Sequence, residues 1–142
     1  MDWHLLCVLH AVPTLFLTGL IWLVQLVHYP LFAAVGADQR VAFAREHQRR
    51  IGPLVVPPML AEVLLTGWVW LAAPPAARGA AWLGAALLAV VWASTFLLQV
   101  PCHARLSRAA DGAALRRLVA TNWLRTVAWT GRAAVAVWLL AT

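Results

Sequence analysis

Lysine is absent from this sequence and acids are scarce. All eleven basic residues are arginine, set against five Asp and Glu, which leaves a net charge of +6. Charged residues make up only 11% of the chain, where a soluble domain carries about 25%. A small soluble domain has a large surface to keep wet, and this composition cannot do so. Cysteine is nearly absent too. Cys7 and Cys102 fall near opposite ends of their helices in the topology described below, which is too far apart for a disulfide. No CxxC or Cys/His metal motif occurs. The start of the chain carries Asp2 and His4 instead of a basic segment, and its apolar run is too long for a signal core, so no cleavable leader is expected. The basic balance does not point to nucleic acid. The arginines gather between hydrophobic runs, and no nucleic-acid-binding motif is present.

What the sequence has in quantity is apolar length, with 63% of its residues hydrophobic. A helix needs about 20 mostly apolar residues to cross a hydrocarbon core roughly 30 Å thick. Four segments meet that requirement: Leu5–Val27, Pro53–Ala73, Ala81–Val100 and Val119–Ala141. The expected fold is therefore all-α, a four-helix transmembrane bundle forming one membrane domain over residues 1–142. Breaks at His28-Tyr29-Pro30 and Gly52-Pro53 are expected to bound a first loop, and Pro74-Pro75 to link the second and third helices tightly.

Arginine placement orients the bundle. Arg40, Arg45, Arg49 and Arg50 fall in the first loop, and Arg105, Arg108, Arg116 and Arg117 in the third. The second loop holds only Arg78. The positive-inside rule then makes loops one and three cytoplasmic and puts both termini outside, as in a multi-pass protein of a bacterial inner membrane. Trp3, Trp68, Trp70, Trp82 and Trp138 would form an aromatic belt at the outer boundary. Asp38 and Asp111 are candidate helix N-caps, and Glu46 and Arg50 are spaced to pair on a helix. Gly19, Gly67, Gly84 and Gly131 are expected to let helices approach closely.

The two halves show an internal repeat at a shift of 75, which puts His28 on His103, His47 on Asn122 and Arg50 on Arg125 (103−28, 122−47 and 125−50 all equal 75). An even number of helices per half makes the repeat a parallel one, two tandem hairpins about an axis along the membrane normal.

Polar residues inside spans are costly in lipid and usually face the bundle interior. Each helix carries one polar stripe. Thr14, Thr18, Gln25 and His28 lie on the first, and Pro58, Glu62 and Thr66 on the second. Thr95, Gln99 and His103 lie on the third, and Asn122, Arg125, Trp129 and Arg132 on the fourth. Glu62 falls near the midplane, where a carboxylate must be protonated, paired or solvated, and Arg132 is its expected partner. His28, His47 and His103 all lie toward the cytoplasmic side. They suit interfacial hydrogen bonding to loop carbonyls. Alternatively, His28 and His103 could bind a haem iron axially, or, with His47 and a carboxylate, they could hold a non-haem transition metal. His4 and His10 read as interfacial. Trp22, Trp92, Trp123 and Trp129 would line a pocket for a flat apolar ligand.

Gln99-Val-Pro-Cys-His103 and Asn122-Trp-Leu-Arg125-Thr-Val-Ala-Trp129 resemble segments of small four-helix bacterial membrane proteins. The last loop and helix are also similar to anthrone-oxygenase-like membrane proteins. That similarity implies an oxidoreductase or oxygenase without bringing a catalytic signature. The tryptophan content is similar to that of tryptophan-rich sensory proteins, but their five spans and Trp/Pro motifs are absent.

Three functional classes follow. The first is a site for haem, another metal or a flat apolar substrate. In it His28, His103 and His47 serve as ligands, Glu62 and His47 as acid or base, and Gln25, Gln99, Asn122, Arg125 and Arg132 orient the bound group. The second is a proton-coupled transporter or channel using Glu62. The third is a structural subunit that docks a partner. The bilayer is the surrounding solvent in all three, and a homo-oligomer fits each of them.

Overall fold

The computed structural model describes residues 2–142 and contains only helices and their connections among them. Helix α1 spans Trp3–Ala34, α2 Ala37–Ala72, α3 Pro75–Leu106 and α4 Gly112–Leu139. The four run up and down as a ring, α1 packing on α2 and α4, and α3 on α2 and α4. Helices α1, α2 and α3 are each long and apolar enough to cross a membrane, which makes this a membrane protein. Helix α4 completes the bundle with Arg125 and Arg132 inside its apolar stretch.

The surface is turned inside out relative to a soluble bundle. Leu64, Leu71 and Leu97 are each more than 70% exposed, while Glu62, Asn122, Thr14 and Thr126 are fully buried. Lipid reverses the usual requirement, since apolar side chains are at home outside and polar groups must find partners within. Two apolar clusters fill the interior. One holds Leu17, Ile21, Met59, Val91 and Trp129, toward the arginine-rich end. The other holds Leu6, Cys7, Val69, Ala81 and Leu139, toward the termini. Cys7 and Cys102 are free thiols, one in each cluster.

The breaks expected at His28-Tyr29-Pro30 and Gly52-Pro53 do not occur. Helix α1 continues through a π-helical turn at Val24–His28 and runs on to Ala34. Helix α2 passes through Pro53, Pro57 and Pro58 without interruption and takes in most of the first loop. Proline removes a donor from the ladder, but membrane helices tolerate it where neighbouring groups re-satisfy the backbone. At 36 residues and ~1.5 Å each, α2 reaches about 54 Å, well beyond the ~30 Å core, so its arginine-bearing end projects out of the bilayer.

Helix α3 carries a second π-helical turn, Thr95–Gln99, placed before Pro101 as the first is placed before Pro30. These features coincide at a shift of 71 (95−24, 99−28 and 101−30 all equal 71), one helical turn short of the 75 that superposes His28 on His103. A four-residue offset preserves the helix face, so the two hairpins match in pattern while their histidines differ in depth.

Asp111 caps α4 as expected, accepting from the Ala114 N–H at 2.9 Å. Asp38 does not cap α2. Gly36 takes that position and Asp38 lies in the first turn, where it complements the helix dipole. Glu46 pairs with both Arg49 and Arg50, at 2.7 and 2.5 Å, on the exposed end of α2.

Of the four glycines expected at close contacts, two are there. A Cβ on Gly84 would meet Val135 at 3.4 Å and one on Gly131 would meet Leu87 at 3.1 Å, whereas Gly19 and Gly67 face open space. The glycine contacts therefore belong to the α3–α4 interface. Accordingly, Gly84→Leu and Gly131→Leu should lower the midpoint of thermal unfolding in mild detergent by several degrees, and Gly19→Leu should leave it unchanged or raised.

Candidate functional site

Every helix crosses from one apolar cluster to the other through a polar layer, and Glu62 and Arg132 are at its centre. Arg132 Nε donates to Glu62 Oε1 at 2.8 Å, with both side chains at most 1% exposed. Glu62 accepts twice more, from Thr14 Oγ1 at 3.0 Å and Trp129 Nε1 at 3.1 Å. Arg132 Nη1 also donates to the Gly84 carbonyl, and Nη2 donates to Thr66 Oγ1 at 2.9 Å and lies 3.4 Å from His10 Nε2. Because guanidinium only donates, His10 Nε2 must accept, which places the ring proton on Nδ1. His10 is therefore a buried member of this layer, 2% exposed, and not the interfacial residue its position in the sequence suggests.

This network has donors and acceptors from all four helices, and Glu62 and Arg132 themselves line none of the cavities described below, although Trp129 borders one and Thr66 another. Removing one charge leaves the other stranded in low dielectric, at a cost of about 3–5 kcal/mol. We expect Arg132→Met to destabilise the bundle by that amount in denaturant titrations in detergent. Glu62→Gln/Arg132→Met, which removes both charges, should recover at least half of the loss.

A second polar region lies toward the arginine-rich end. There the structure brings together the three histidines that the sequence placed on the first helix, in the first loop and on the third helix. His47 stacks on His28 with ring centroids 4.3 Å apart and planes 23° apart, and on His103 at 5.7 Å and 28°. Phe43 extends the column against His28 at 5.9 Å. Lone pairs of imidazole lie in the ring plane, so near-parallel stacked rings do not converge on one ion. Among the described residues no group of three or more His, Cys, Asp or Glu is disposed to hold a metal. Arg125 close by adds a positive charge that disfavours a cation. The arrangement is thus an aromatic stack and does not fit a three-histidine metal centre. Elemental analysis of tag-free protein should find no transition metal near one equivalent. Stoichiometric iron, copper or zinc lost in His47→Ala and His103→Ala would restore the metal reading.

Beside the stack is a cavity of about 170 Å³. His47, His103, Arg125, Tyr29 and Thr95 supply polar groups to its wall, and Leu17, Ile21, Met59 and Trp129 supply apolar ones. Small-molecule pockets run to about 300–1,000 Å³, so this one suits a compact ligand and is too small for a porphyrin. The Arg125 guanidinium lies 5.3 Å from the centre of the Trp129 ring, a cation–π contact.

Several residues expected to orient a ligand instead join helices. Asn122 Nδ2 donates to Gln25 Oε1 at 2.7 Å between α4 and α1. Gln99 accepts from Ser94 Oγ at 2.9 Å and donates to Thr121 Oγ1 at 3.1 Å, between α3 and α4. None of these three residues lines the cavity. Of the proposed orienting groups only Arg125 does so, and Glu62 and Arg132 lie in the sealed layer. His28 lines an outer groove with Phe43 and Arg50, and His47 borders both that groove and the cavity.

The tryptophans also divide. Trp22 and Trp123 pack edge to face at 5.7 Å on the lipid-facing surface. Trp92 lines an open groove of about 540 Å³ between α2 and α3, together with Trp70 and Trp82. Tyr29 and Thr95 are the polar cavity residues that sequence reasoning did not assign to a site. Tyr29 follows a π-helical turn and Thr95 begins one, and those turns leave no mark in hydrophobic periodicity.

No family model matches the chain, and no curated protein and no solved structure matches it.

Proposed function

We propose that this chain is a membrane-embedded ligand-binding protein whose site is the cavity at His47, His103, Arg125 and Trp129. One observation carries the reading. A permanent cation and an imidazole, each with a buried nitrogen that no protein group satisfies, border the same cavity. Arg125 Nε and His103 Nδ1 are both buried without a hydrogen-bond partner. A bundle that satisfies Glu62, Arg132, Gln25 and Gln99 but leaves these two open has kept them for something that enters.

In this reading the protein lies in a bacterial inner membrane with both termini outside, so the cavity opens in the cytoplasmic half. The ligand is compact, with an apolar body against Leu17, Ile21 and Met59 and a polar end at Arg125 and His103. If the protein acts on that ligand, His47 is the residue placed to move a proton, because it borders both the cavity and the outer groove and imidazole can both give and take a proton. Proton-coupled transport through Glu62 has less support. That carboxylate accepts three hydrogen bonds and lines no cavity.

Gly52 lines the cavity, and a Cβ there meets open space. Gly52→Phe should therefore fill the site and leave the bundle intact. Native mass spectrometry of wild-type protein released from mild detergent should show a retained small-molecule adduct that Gly52→Phe lacks. Identical spectra for the two, with both proteins monodisperse, would count against the cavity as a ligand site.

A further inference from the structure

Arg125 stands out in the charge balance of the bundle. The five acids are placed elsewhere. Asp2 accepts from the Leu5 N–H and Asp111 from the Ala114 N–H, Asp38 lies at the start of α2, Glu46 pairs with Arg49 and Arg50, and Glu62 pairs with Arg132. Among the described residues no carboxylate forms an ion pair with Arg125, and no Asp or Glu lines the cavity it borders. Its Nε is buried without a partner, as is His103 Nδ1 across the same space. The one contact that orients the guanidinium is the face of Trp129, 5.3 Å away.

A guanidinium keeps its proton in any protein environment, so this is a permanent positive charge in a low-dielectric interior. Three classes of ligand can be weighed against it. A cation is repelled. A neutral apolar molecule would desolvate the guanidinium without replacing the hydrogen bonds it loses. An oxyanion supplies the missing charge and accepts from Arg125, and from His103 in the tautomer with its proton on Nδ1, and planar carboxylate geometry matches the fork of Arg. The remaining wall favours a flat body, because Trp129 presents a ring and Leu17, Ile21 and Met59 offer apolar contact. The volume equals about five to six waters at ~30 Å³ each, enough for one aromatic ring or a short chain bearing its acid group.

We propose that the cavity binds a compact oxyanion with an apolar body, its acid group held by Arg125 and His103 and its body packed on Trp129. This rests on the reading of the cavity as a ligand site and names the chemical class of ligand. The same oxyanion chemistry could reach the site from water, as a free acid, or from the bilayer, as an anionic lipid headgroup.

The test uses the full chain in nanodiscs of phosphatidylcholine, which carries no net charge, with benzoate as the flat anion and benzamide as its neutral isostere. Equilibrium dialysis of labelled ligand should show saturable benzoate binding and at least about tenfold weaker benzamide binding, as expected when a charge-assisted pair is lost. Arg125→Gln should weaken benzoate by a similar factor and leave benzamide unchanged. Arg125→Lys, which keeps the charge but not the fork, should fall between, and it guards against a folding defect in the first variant. Sulfate that competes with benzoate would indicate a free anion as the source. Competition only from phosphatidylglycerol built into the disc would indicate a lipid headgroup. Either result supports the oxyanion site. Equal binding of benzoate and benzamide, both lost in Gly52→Phe, would overturn the anion assignment and leave the cavity as a ligand site. Binding of neither probe, together with no adduct in the native spectra, would overturn both.

Discussion

The buried pair of Glu62 and Arg132 governs how the four helices can be assembled. Neither charge can be left unpartnered at the depth of these residues, because no water is at hand to replace a lost bond. The pair therefore fixes α2 against α4 across the bundle, and the remaining valences recruit the other two helices. Thr14 and His10 come from α1, and the Gly84 carbonyl comes from α3. A slide of any helix by one turn would separate these partners by about 5.4 Å and break several bonds together. Apolar packing in lipid cannot enforce register in this way, since leucine meets lipid as readily as it meets another leucine. The pair contributes registry more than net stability, because the desolvation of both ions offsets much of their attraction.

Once that layer is closed, the contrast with Arg125 acquires meaning. Arg125 and Arg132 are seven residues apart on α4, two turns along one face, so a single helix presents two guanidiniums to the interior. One is matched by Glu62 and surrounded by acceptors. The other has an aromatic ring, two histidines and a cavity. The bundle evidently can provide a carboxylate where a cation needs one, which makes the lack of one beside Arg125 informative. The same helix thus supplies a cation paired with a carboxylate and, seven residues earlier, a cation without one.

Much of this was legible in the sequence, for a physical reason. Lipid makes polar residues expensive, so the stripes of Glu62, Asn122, Arg125 and Arg132 mark interior faces without ambiguity, and the Glu62–Arg132 pairing followed from depth alone. The start of α4 at Gly112 followed from Asp111. The roles within the stripes were harder to read. Gln25, Gln99 and Asn122 look like ligand-orienting groups until their partners are seen, because an amide that joins two helices and an amide that faces a cavity have the same spacing. His10 misled for a related reason, since position along a helix suggests depth but says nothing about which neighbour is in reach. Proline rules learned in water placed breaks at Pro30 and Pro53, whereas membrane helices carry proline inside them.

The π-helical turns connect these points to the site. Each inserts one extra residue into a helix, which widens it locally and rotates everything that follows by about 100° relative to an uninterrupted α-helix. Val24 opens the first turn and Thr95 the second, and both line the cavity. Tyr29 on α1 and His103 on α3, both polar wall residues, come after those turns. Without the insertions, the stripes set by Thr14 on α1 and Gly84 on α3 would continue at their original phase and carry other residues inward. The cavity therefore depends on a departure from α geometry made twice, at matching places before Pro30 and Pro101, in helices that are otherwise regular. Turns of this kind occur disproportionately at functional sites, where the lost regularity is tolerated for what it positions.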